Sequence, residues 1–294
     1  MVRYTTKRAG LSSDNLLVGL VIALAVILFF AIVLWPSGSK PGAPLQSASA
    51  TPLAKELNDA TTIQYLTVLQ RVEPAMAGEL YRQADAAIVS GAGKDELALL
   101  VLAALGDDLN NAQNVWLKAD VEYFDNVLNV TKAGLTRLSR HAPKYCHTAH
   151  YESLMTSEHE DVLTELLSLL SYDSAGYKFA LEINQVLLEG IEDGRKSPNK
   201  YSRLNAADER AAQMMVMGLM SNPKISNAMR IQSLPPAEQK RAMATLNVCD
   251  LSSDVIAGVL GLPQDTKKRL MGEMTHMAES GKLAESMQTM ANGF

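Results

Sequence analysis

Apolar residues are distributed along this chain in two different ways. Over residues 16–35 they run without interruption as LLVGLVIALAVILFFAIVLW, with neither a charge nor a strong hydrogen-bonding side chain. A helix of that length rises about 30 Å, the thickness of a bilayer's hydrocarbon core, so a transmembrane helix is expected there. Trp35 would lie at the interface, and Pro36-Ser37-Gly38 would end the helix.

From residue 52 onward the apolar positions instead recur every three or four residues, the mark of helices with one buried face. The clearest case is 120–139, where Val121, Phe124, Leu128, Leu135 and Leu138 share a face and Asp120 stands as N-cap. Further helices are predicted over 52–72, 74–89, 95–105, 158–170, 177–191, 205–220, 235–246, 250–260 and 263–278, with a short last one near 283–290. Breaks are read at Gly91-Ala92-Gly93, Ala142-Pro143, Asp193-Gly194, Ser197-Pro198 and Pro223. No alternating β-branched run bounded by hairpin turns occurs, so the expected fold class is all-α: an N-terminal transmembrane helix followed by about ten helices over 52–294. A division into two subdomains would fall near 194–204.

The span is expected to be retained rather than cleaved. Its apolar run is longer than a signal peptide's, and the nearest small-x-small site, Ala48-Ser49-Ala50, lies far beyond it. Arg3, Lys7 and Arg8 precede the span, whereas only Lys40 and Lys55 follow it closely, which places residues 1–15 in the cytoplasm. The rest is expected in the periplasm of a bacterium, anchored in the inner membrane. Residues 36–51 are mostly Ser, Gly, Ala and Pro, the composition of a flexible tether.

Charge narrows the partners. The formal net charge is −5, and no dense Lys/Arg stripe stands out of the kind that neutralises phosphates, so nucleic acid is not expected as a partner. The bilayer, through 16–35, and other envelope proteins are. GxSxG, GxxxxGK[ST] and GxGxxG are all absent, and the acids Glu158, Glu160 and Asp161 read as helix-start charges rather than a general acid/base pair. An envelope hydrolase would have to use carboxylates that the sequence does not single out.

Two features carry candidate chemistry. Cys146 and Cys249, in an oxidising compartment, are expected to form a disulfide. The alternative is a metal site, because four of five histidines lie at His141, His147, His150 and His159. Were the segment after Cys146 helical, the i,i+4 pair Cys146/His150 or the i,i+3 pair His147/His150 could bring two side chains to one zinc or copper ion, with His159 nearby in sequence.

The second feature is methionine, with eleven of fourteen after residue 200. Met214, Met217 and Met220, then Met271, Met274 and Met277, recur at three-residue spacing. Such stripes serve as core, as adaptable partner-binding surface, or as Cu(I) thioethers. A local echo also links Leu234-Pro235, Lys240-Arg241 and Met243 with Leu262-Pro263, Lys268-Arg269 and Met271. The expected role is that of an interaction, assembly or regulatory subunit, with metal handling as the alternative.

Overall fold

The computed structural model describes residues 47–104, 112, 114–150, 159–231 and 233–280. The expected span over 16–35 and the expected last helix near 283–290 lie outside them. Among the described residues no helix is long and apolar enough to cross a membrane.

The described chain is all-helical, with one isolated antiparallel bridge between His147 and Asn247. Helix α1 (Pro52–Leu57) and helix α2 (Ala60–Val72) replace the single helix expected over 52–72. Asn58 takes a left-handed conformation (φ 44°), and Asp59 then caps α2 by accepting from the Thr62 amide at 2.9 Å. The Asn-Asp pair was legible as turn chemistry but was masked by the continuing apolar period.

Helix α3 (Pro74–Val89) opens on proline, as expected, and α4 (Lys94–Ala103) follows. Helix α5 (Val121–His141) is capped by Asp120 and leads into a 3₁₀ turn, Pro143–Cys146. Then come α6 (His159–Leu169) and α7 (Ala175–Lys196), the latter capped by Ser174.

Helix α7 runs past Asp193-Gly194, where a stop was expected. The Asp193 carboxylate accepts from the Asp120 amide at 2.7 Å, and a methyl on Gly194 would overlap the Val115 carbonyl oxygen. The glycine is thus there to let two backbones meet, not to end a helix.

The core forms where α7 packs on α2 and α5, and α5 packs on α11 (Val248–Leu260). Leu66, Phe124, Tyr177, Leu181 and Ile256 are buried in this one cluster. The Tyr177 hydroxyl shares a 2.8 Å hydrogen bond with Thr62 inside it, which satisfies both groups away from water.

The last third adds α8 (Ala206–Met220), α9 (Pro223–Ile231), α10 (Pro236–Met243) and, after α11, α12 (Gln264–Glu279). Pro223, read as a break, opens a helix of its own. Helix α12 is seated firmly: Lys267 donates to both carboxylate oxygens of Asp125 at 2.7 and 2.8 Å, and Gly272 lies against the Ser202 carbonyl.

The echo is real locally and divergent globally. Both copies open a helix after Leu-Pro, but Met271 is buried against the core whereas Met243 is exposed.

Candidate functional site

Cys146 and Cys249 are joined as a disulfide, with Cα atoms 5.1 Å apart and a sequence separation of 103. Both are buried beside Leu138. The surrounding residues position them. Asn247 caps α11 by accepting from the Asp250 amide (3.0 Å) and donates to Ser139 Oγ (3.2 Å), while the Thr148 amide reaches the Leu246 carbonyl (3.4 Å). The start of α11 is thereby sewn to the end of α5.

This pairing removes Cys146 from any metal site, because a sulfur bonded to sulfur is no thiolate ligand. The local geometry argues the same way. His147 is extended (φ −102°, ψ 129°), so Cys146 does not share a helix turn with His147 and His150. His147 is exposed, and His150 turns towards the Tyr145 ring, edge to face, with centroids 5.2 Å apart. The His159 side chain lies outside the described residues. Among the described residues no three of His, Cys, Asp and Glu gather where they could hold a metal ion.

What forms here instead is a charged clamp on Glu165. Its carboxylate accepts from Lys144 Nζ (2.7 Å) and from the Tyr145 hydroxyl (3.0 Å), with His150 Nε2 at 3.7 Å. The Lys144 hydrogen bond, then that of Tyr145, holds the Glu165 carboxyl below the usual range. A carboxylate kept ionised by two donors is a weak base near neutrality, and the clamp's evident effect is to tie α6 to the 3₁₀ turn.

The methionines divide. Met271 and Met274 are buried in the main core, and Met277 packs against it half-buried, so these three are not a partner-binding stripe. Helix α12 turns that face inward because Lys267, Arg269 and Glu273 anchor its other flanks. Arg269 grips Asp208 at 2.7 and 3.0 Å, and Arg203 grips Glu273 at 3.0 and 2.8 Å.

Met214, Met217 and Met220 face water, at 68%, 62% and 49% exposure. Helix α8 rests its opposite flank on α11, where Met215 and Leu219 lie against Gly258. Its start is fixed by a reciprocal cap: Asn205 accepts from the Ala207 and Asp208 amides, and Asp208 accepts from the Asn205 amide at 2.9 Å. The exposed face is therefore held in place from below.

Sequence reasoning missed that exposed methionines recur on the next two helices. Met229 on α9 and Met243 on α10 are also exposed, so among the described residues five of the seven large exposed apolar side chains fall within residues 214–243. It also missed the local charge, for residues 210–243 carry Arg210, Lys224, Arg230, Lys240 and Arg241 against the single acid Glu238. That imbalance was readable, but the overall −5 concealed it.

Compared with known proteins, the chain matches no family model, no curated relative and no solved structure.

Proposed function

We propose that this chain is a membrane-tethered interaction or assembly subunit of a bacterial envelope, and that the exposed face of α8–α10 is where its partner docks. The observation that carries the reading is the gathering of Met214, Met217, Met220, Met229 and Met243 on the surface of three consecutive helices. Isolated exposed apolar side chains are ordinary, whereas a concentration of them marks a binding surface. Methionine suits that task, since its unbranched thioether adapts to partner shapes.

The first described turn and the α8–α10 face belong to different parts of the packing sequence. The 3₁₀ turn Ala48–Ala50, where the linker arrives, packs on α2; from there the packing runs α2 to α7, α7 to α5, α5 to α11 and α11 to α8.

The reading is tested in the full chain in its native membrane, with a photo-cross-linking side chain at residue 217 and, as control, at the exposed polar Asp85 of α3. A discrete, reproducible adduct from 217 and none from 85 is the expected result. No adduct, or the same adducts from both, would sink the reading. Deleting residues 16–35 should move the protein to the soluble fraction; persistence in the membrane would remove the anchor.

A further inference from the structure

The interaction reading leaves the partner's chemistry to be found, and the inference here rests on it. Six of the seven other described arginines are matched to carboxylates: Arg71 with Glu192, Arg82 with Glu79, Arg137 with Glu182, Arg195 with Glu73, Arg203 with Glu273, and Arg269 with Asp208, Arg140 being the exception. The arginines of the methionine face differ. Arg210 and Arg230 are exposed and in no ion pair among the described residues, and Arg241 reaches only the Ala237 carbonyl of its own helix at 3.3 Å.

Position strengthens the contrast. Arg210 precedes Met214 by four residues and Met217 by seven, so all three stand on one face of α8. Arg230 adjoins Met229, and Arg241 lies two residues from Met243. Each helix that carries an exposed methionine thus also carries an arginine in no ion pair among the described residues, in a chain whose net charge is −5.

Three kinds of anionic partner would answer such a surface: lipid headgroups, nucleic acid, or a protein's carboxylates. Residues 202–293 contain no Trp, Tyr or Phe. Helices that lie in the bilayer interface seat themselves with Trp, Phe and Leu, and surfaces that bind single-stranded nucleic acid stack bases on aromatic rings. Methionine with arginine is instead the composition enriched in protein–protein interfaces, and methionine-lined surfaces accept helices.

We infer that the α8–α10 face receives an acidic amphipathic helix of a partner protein. Its apolar stripe covers Met214, Met217, Met220, Met229 and Met243, and its carboxylates pair with Arg210, Arg230 and Arg241, each guanidinium fork donating to two carboxylate oxygens.

The test uses the full chain in nanodiscs of neutral lipid and two helical peptides. Both carry the same Leu/Met stripe at i, i+3, i+4 and i+7; one is flanked by Glu, the other by Lys. The Glu peptide should bind about tenfold more tightly or better, by a margin that shrinks with salt. The combined variant Arg210→Glu, Arg230→Glu and Arg241→Glu should reverse the preference with an unchanged circular dichroism spectrum, because all three side chains are exposed.

Equal binding of both peptides, unchanged in the variant, overturns the acidic-helix assignment. If cross-linking at 217 still gives an adduct, the docking reading survives that loss; if it gives none, both fall. Binding to vesicles of anionic lipid that the variant loses, with no preference between the peptides, overturns the proposal in favour of a lipid surface.

Discussion

Helices α2 and α8 are of similar length, thirteen and fifteen residues, and both open on side-chain caps. Yet α2 buries Thr62, Tyr65, Leu66, Val68, Leu69 and Val72, whereas α8 buries only Asp208 and Ala212. The same contrast extends to their neighbours: α1 to α4 with α7 enclose a continuous core, while α9 buries Ile231 alone. Helix formation does not separate the two regions, since local capping serves both equally. What separates them is whether a second apolar face within the chain covers the first, which is where most helical stability in proteins arises. A region that folds without that cover has its apolar face free for another molecule.

The widest gap between the regions should appear on truncation. Phe124→Ala in the core is expected to cost about 3–5 kcal/mol, against no more than about 0.5 kcal/mol for Met217→Ala, both read from urea midpoints. Comparable costs would mean that α8 is covered within the chain after all.

Removing the disulfide through Cys146→Ser with Cys249→Ser should cost about 2–4 kcal/mol, because the cross-link closes a span of 103 residues. That span contains all of α8–α10, so amide exchange should accelerate there more than in α2. A uniform change would argue that the bond constrains both regions alike.

Asp208 sharpens the comparison at the boundary, since it joins α8 to α12. Its burial pushes the carboxyl pKa up, but Arg269, Thr266 and the Asn205 amide outweigh this and hold it below the ordinary value. A carboxylate depressed in the folded state stabilises fully above its unfolded pKa of about 3.9 and loses that contribution as pH falls through the folded value. Asp208→Asn should therefore cost about 2–3 kcal/mol at neutral pH, less than a fully buried pair because Arg269 remains 26% exposed, and should flatten the acid limb of the stability profile. An unchanged acid limb would refute this account.

The smallest effect is expected at Tyr65, whose hydroxyl is buried in the core without a hydrogen-bond partner among the described residues. Tyr65→Phe should be neutral or stabilise by up to about 1 kcal/mol, since it removes an unsatisfied polar group. A loss above that would reveal a partner for the hydroxyl.

Much of this was legible beforehand. The helical period, the cap at Asp120, the proline that opens α3, and the pairing of Cys146 with Cys249 were all expected from local rules or from the exported location that the sequence predicts. The failures were equally specific. Asn58-Asp59 turned the chain inside an unbroken apolar period, Gly194 continued a helix that glycine was expected to end, and Pro223 began a helix where a break was read. In each case one residue type serves two purposes, and packing chose between them.

The sequence alone determined that this protein is helical and that its cysteines could meet, because periodicity, capping and thiol chemistry act over a few residues or through a single bond. It also determined that the methionines form stripes. Only the tertiary structure decided that Met271 and Met274 face inward while Met214, Met217 and Met220 face water. Three-residue spacing defines a face of a helix but not its surroundings, and those were set by ion pairs between distant segments, Asp125 with Lys267 and Asp208 with Arg269, that fix how α12 is turned.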